Sequence, residues 1–204
     1  MVSVITPDPH APPELPPEPI EIAAGTLQLR PWEHRLIPEL LRAFADPVYR
    51  EWAVTAVPST EADAAAWIEA RLAAWRTGRV LSFAVQDSTS AELLGSVTLR
   101  SFGIWPRAAD IGYWTAPAAR QRGVAVAAVN VVTRWAFTAL ELNRLTLFHA
   151  VQNAGACQVA TSAGYQLEGV ARGALPRAEG GWFDMEMHAR LAGDPAPRPA
   201  PPSA

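Results

Sequence analysis

Asp110-Ile111-Gly112-Tyr113-Trp114-Thr115-Ala116-Pro117-Ala118-Ala119-Arg120-Gln121-Arg122-Gly123-Val124-Ala125 is the stretch that decides the fold. Its first six residues read as a short strand rich in β-branched and aromatic side chains. From Val124 to Leu140 an apolar helix pattern follows. A loop between such elements, at a helix N-terminus, suits a phosphate. The first-turn N–H groups have no intrahelical partners, and the helix dipole adds partial positive charge. Gly123 lets a ligand approach the backbone, Ala125 keeps that approach open, and Arg120 and Arg122 offer charge-assisted contacts to phosphate oxygens.

Two familiar phosphate loops are excluded. There is no GxxxxGK[ST], and the chain has no lysine at all. There is no GxGxxG opening a βαβ unit either. What stands here is Arg-x-x-Gly-x-Ala after a strand. This resembles the acetyl-CoA pyrophosphate loop of the GNAT N-acetyltransferases, written Gln/Arg-x-x-Gly-x-Gly/Ala. Other segments match the RimJ/RimL-like branch of that family in the right order. They are Leu29-Arg30-Pro31-Trp32, Asp110–Trp114 with Pro117, Trp135-Ala136-Phe137 with Leu140, Arg144–Leu147 to Asn153, and Gly164-Tyr165 with Glu168–Arg172. The resemblance covers about residues 25–192.

Composition fits that size. The chain has 204 residues, half of them hydrophobic, with eight Trp, enough for one domain with a sizeable core. Net charge is −3 with no basic run, which argues against a nucleic-acid surface of the polyelectrolyte kind. All 17 basic residues are Arg. A single cysteine, Cys157, excludes an internal disulfide and fits a reducing cytoplasm. No signal-peptide pattern opens the chain, and no stretch approaches a membrane span. Residues 1–24 carry seven prolines and 193–204 carry five, so both read as Pro-rich tails, extended where ordered.

Between the tails one alternating α/β unit is expected. The expected strands are Thr26–Arg30, Leu81–Gln86, Leu93–Leu99, Asp110–Thr115, Thr146–Val151, Tyr165–Val170 and Phe183–Arg190. The expected helices run from near Leu36 to Phe44, from Ser59 to Arg76, from Gly123 to Leu140 and from Ala154 to Ser162. Asp46-Pro47 breaks the first, and Thr60 with Asp63 resembles a capping box for the second.

The resemblance implies a GNAT fold: a mixed, mostly antiparallel sheet of six to seven strands and about four helices. Its central parallel pair, here Asp110–Thr115 and Thr146–Val151, would splay apart. It implies acetyl-CoA as cosubstrate, its arm paired with the backbone of Trp114 and Thr115 and its pyrophosphate on Arg120, Gln121, Arg122, Gly123, Val124 and Ala125. Asn153 matches the Asn that contacts the cofactor arm; on its own it is also a good helix N-cap.

The implied reaction is direct acyl transfer to a primary amine, of a protein N-terminus or a small molecule. Asp110 is the first candidate for the general base, with Glu51 and His149 behind it. The proton donor departs from the family: the Ser of Asn-x-x-Ser is Ala156 here, and the Tyr of another branch is Ala160. Loss of the donor leaves open a catalytically weak acyl-CoA-binding module. No metal is expected, and relatives' frequent dimers make a homodimer an open expectation. Among the aromatic residues, Trp105 is the best acceptor-pocket candidate and Trp67 and Trp75 read as core. Asp184 and Glu186 either attract a cationic amine or form the outward face of the last strand.

Overall fold

The computed structural model describes residues 13–53, 57–177 and 180–197. Eight strands form one sheet: β1 (Ile22–Ala24), β2 (Leu27–Arg30), β3 (Val80–Asp87), β4 (Leu93–Arg100), β5 (Ala108–Thr115), β6 (Arg144–Ala150), β7 (Gln166–Pro176) and β8 (Trp182–Leu191). They lie in the order β1-β2-β3-β4-β5-β6-β8-β7. Every neighbouring pair is antiparallel except β5 with β6. Five α-helices accompany them: α1 (Ile37–Phe44), α2 (Pro47–Trp52), α3 (Glu61–Arg76), α4 (Val124–Thr138) and α5 (Ala154–Ser162).

The strand count exceeds the expected six to seven because of β1. It is only three residues long and lies inside the stretch that composition assigns to a tail. Its neighbours pack too: Leu15, Ile20 and Ile22 lean on the core, and Trp75 Nε1 donates to Pro16 O at 3.1 Å. The extra helix is α2. Asp46-Pro47 does end α1, but the same pair starts the next helix. Asp46 accepts from Tyr49 N at 2.8 Å as N-cap, and Pro47 takes the first turn, where its missing N–H costs nothing. The other elements fall within a few residues of expectation, except that β7 runs six residues past the expected Val170, to Pro176. The Thr60 cap of α3 is made, with Asp63 N donating to Thr60 Oγ1 at 3.1 Å. Among the described residues no helix is long and apolar enough to cross a membrane.

Two cores sandwich the sheet. On one face Leu81, Phe83, Val97, Leu99, Ala109, Ile111, Leu145 and Leu147 meet Ala128, Val129, Val132 and Ala136 of α4 and Ala160 of α5. A helix with so narrow a polar stripe has to lie against a sheet. On the other face Trp32, Leu40, Phe44, Ala64 and Ile68 pack α1 and α3 over Ala84. Burying one such Leu or Ile fully is worth about 2 kcal/mol. Polar ties lock the elements. Arg190 Nη1 donates to Ala163 O at 2.9 Å and to Asn130 Oδ1 at 3.2 Å, joining β8 to α5 and α4. Thr133 Oγ1 and Tyr165 OH share a 2.7 Å bond.

Candidate functional site

The parallel pair is joined for three residues only: Ala108 with Arg144, Ala109 with Leu145, and Asp110 with Thr146. Beyond that point the two strands run on without each other. β4 pairs one edge of β5 up to Thr115, and β8 pairs one edge of β6 up to Ala150. The facing edges, Ile111–Thr115 and Leu147–Ala150, have no strand between them. An exposed strand edge presents unpaired N–H and C=O groups to whatever extended chain can enter. The cleft is therefore a slot between two unpaired strand edges.

Gly95 fixes one wall. It lies opposite Thr115, and a Cβ there would stand 2.3 Å from Trp114 O. Only glycine lets β4 seat so closely against the part of β5 that borders the slot. The Trp114 side chain faces away from α4. It packs between Trp32 (centroids 6.1 Å), Phe44 (5.5 Å) and Tyr49 (5.8 Å). Burial pushes the Tyr49 hydroxyl up to about 12. It is thus a neutral hydroxyl at pH 7.

The slot opens towards the loop between β5 and α4. A 3-10 turn, Pro117–Ala119, leads into it. Gln121 (φ +58°) and Gly123 (φ +74°) both take left-handed backbone, which turns successive N–H groups to one side. Gly123 is the N-cap of α4 and supplies no side chain, so no side-chain cap covers the first-turn N–H groups. A Cβ at Gly123 would meet nothing within 4 Å, so the space above that helix end is open. Val124 is buried beneath the loop in the core, whereas Arg122 is exposed and reaches back to Ala118 O at 3.4 Å.

Arg120 does something the sequence did not signal. Its guanidinium is paired with Asp46, the N-cap of α2, some 74 positions earlier. That guanidinium, with help from the Tyr49 N–H, holds the Asp46 carboxyl below the usual carboxylate range. One carboxylate thus ties the phosphate-type loop to the helix on the opposite face.

At the far side of the slot, Asn153 ends β6's descent and caps α5. Its Oδ1 accepts from Ala156 N at 3.0 Å. The three residues expected for general-base work do not converge. Ala109 and Ile111 belong to the α4 face, so alternation turns Asp110 to the α1–α3 face, together with Trp114. Leu145 and Leu147 also belong to the α4 face, which puts His149 there, opposite Asp110. Glu51 is exposed on α2, next to Trp52, which contacts Phe183 at 5.7 Å.

Trp105 is exposed, in the loop before β5 at the closed end of the parallel pair. Glu186 is not on an outward face. It sits between His149 and His188, whose Nε2 atoms are 3.4 and 3.3 Å from its Oε2. Asp184 spends its carboxylate on the Gly173 N–H at 2.7 Å. Trp75 is core as read, whereas Trp67 is partly buried and meets Trp32 and Phe44 edge-on.

Comparison with known proteins agrees with this geometry. Residues 26–166 match the family model described as "Acetyltransferase (GNAT) domain". YdaF of Bacillus subtilis, whose name assigns it provisionally to the ribosomal N-acetyltransferases, is 36% identical over 83 residues. That match spans 41% of this chain and 45% of the relative, less than half of each. Mycobacterium smegmatis RimJ, solved with a CoA-disulfide, is 25% identical with a TM-score of 0.74. The alignment covers 89% of this chain and 86% of that one. A ribosomal-protein-S5-alanine acetyltransferase from Vibrio fischeri shares the fold at 19% identity and a TM-score of 0.75, covering 86% of this chain and 98% of that one.

Proposed function

Because the chain belongs to the GNAT acetyltransferase family, we propose that it transfers acetyl from acetyl-CoA to a primary amine by direct attack, the amine being a protein N-terminus. The observation that carries this is the slot between β5 and β6, ending at an uncapped helix N-terminus. The amide-bearing arm of acetyl-CoA pairs with the free edge at Trp114 and Thr115. The pyrophosphate sits on Arg120–Ala125, where backbone N–H groups and the α4 dipole meet it. The YdaF match favours a protein acceptor.

An arm entering from the loop runs down the slot and stops where the strands rejoin, at Asp110. Asp110 also faces the α1–α3 side of the sheet, together with Trp114. Asp110 is therefore the base: it takes a proton as the neutral amine attacks the thioester carbon. Backbone N–H groups of the free β5 edge next to Asp110 meet the developing oxyanion. The C–S bond then breaks and CoA leaves as a thiolate, which water protonates. A free thiol's pKa of about 8.5 makes that a mild demand.

Incubating the full chain with acetyl-CoA and a panel of N-terminal peptides and small amines, while following free-thiol release, tests the reaction. Turnover is expected with peptides, and Asp110→Asn is expected to lower kcat by about 10²–10⁴-fold. Ala156 and Ala160, where relatives place a proton donor, favour one second reading: an acyl-CoA-binding module. Tight CoA binding with no turnover on any amine would decide for that reading.

A further inference from the structure

On the α5 side of the slot, four side chains from three elements converge: His149 of β6, Cys157 of α5, and Glu186 and His188 of β8. Register explains the meeting. His149 pairs with Glu186 and Leu147 with His188, so all three polar side chains share one face of the sheet. Cys157 looks down on them one turn into α5. One ligand atom from each lies within 4.8 Å of all the others.

The imidazoles are the informative part. His149 and His188 are 4% and 3% exposed, and each keeps a ring nitrogen with no hydrogen-bond partner: Nε2 of His149 and Nδ1 of His188. His149 Nδ1 stands 3.0 Å from Ala150 O. A carbonyl oxygen only accepts, so Nδ1 donates, and Nε2 is the nitrogen left to face Glu186 Oε2 at 3.4 Å without hydrogen-bond geometry. His188 Nε2 lies 3.3 Å from the same oxygen, so two imidazoles and a carboxylate crowd one buried spot where a cation would satisfy them. A ring N–H on a backbone carbonyl is also how metal-binding histidines are commonly oriented.

We propose that His149, Cys157, Glu186 and His188 form a zinc site. Two imidazoles, a thiolate and a carboxylate are a tetrahedral N₂SO set suited to a borderline-soft divalent ion, and unsuited to Mg²⁺ or Ca²⁺, which take oxygen. At bond lengths of about 2.0–2.3 Å, tetrahedral ligands stand about 3.3–3.8 Å apart, so closing on the ion takes about 1 Å of side-chain movement. Zn²⁺ binds the Cys157 sulfur as thiolate, and the thiol proton goes to solvent. The ion then pins α5 to β6 and β8 along the far wall of the slot. Sequence gave no hint, because the four residues follow no ligand spacing along the chain.

The test needs no acetyl-CoA and so stands apart from the proposed reaction. The full chain, stripped with a chelator at pH 7, is titrated calorimetrically with Zn²⁺. One ion per chain with a Kd of micromolar or tighter is expected, with proton release that changes with buffer. Co²⁺ should give a thiolate charge-transfer band in the near ultraviolet. Cys157→Ser should lose that band, and His188→Ala should weaken Zn²⁺ binding at least tenfold. Glu186→Gln, which preserves shape, serves as a third variant, with circular dichroism showing that each is folded. No stoichiometric binding, or binding that these folded variants leave unchanged, overturns the proposal.

Discussion

Gly95 and Gly123 are both glycine for backbone reasons, but different ones. At Gly123 the helix starts from φ +74°, with empty space around it. At Gly95 the reason is contact, since a Cβ would stand 2.3 Å from a backbone oxygen that cannot move independently of the sheet. Gly95→Ala is therefore expected to destabilise by about 2–3 kcal/mol, lowering Tm by about 4–12 °C. A thermal melt checks this, and an unchanged Tm would mean that β4 and β5 yield easily. Gly123 was legible in the sequence because it sits in a motif at a helix start. Gly95 was not, because its constraint comes from a neighbouring strand whose register no single segment encodes. The same holds for Glu186: its own strand pattern leaves its face open, and only pairing with His149 turns it inward.

Elements were read well where one segment carries its own signal. α3 has its Thr60 cap, and α5 runs from Ala154 to Ser162 as its Asn153 cap and Gly164 stop dictate. α2 was missed because Asp46-Pro47 ends one helix and begins the next. Its contact with Arg120 then couples two elements that sequence treats as unrelated. Asp46→Asn tests the coupling cleanly, because Asn keeps the cap. At pH 7 the variant should lose about 1 kcal/mol or less, the worth of a partly exposed ion pair. The folded-state pKa of Asp46 lies below its unfolded value. The pair's stabilisation is therefore complete above about pH 4 and drains as pH falls through the folded value. Urea melts across pH 2–7 should show the two proteins converging at the acid end. A constant gap would place the effect elsewhere than in the ion pair.

At the scale of the molecule, the α/β alternation and the layering on both faces were visible in hydrophobic period alone. The slot was not, because a stretch where two strands fail to pair leaves no mark in either strand. That failure divides the sheet into unequal halves. Strands β1–β5 form one antiparallel run. β6, β8 and β7 form another, and three residue pairs bridge them. Mechanically this is a seam, held at one end and loose at the other. Amide hydrogens along its loose edges, within Ile111–Thr115 and Leu147–Ala150, should exchange with solvent far faster than those of β3 and β4. A bound pantetheine arm would sew the seam shut. With CoA at a hundred times its Kd, those same amides should slow markedly, and the whole chain should gain about 2.7 kcal/mol against unfolding. Protection that appears only at the α4 loop, with the edges still exchanging freely, would mean the ligand binds by its phosphates and leaves the seam open.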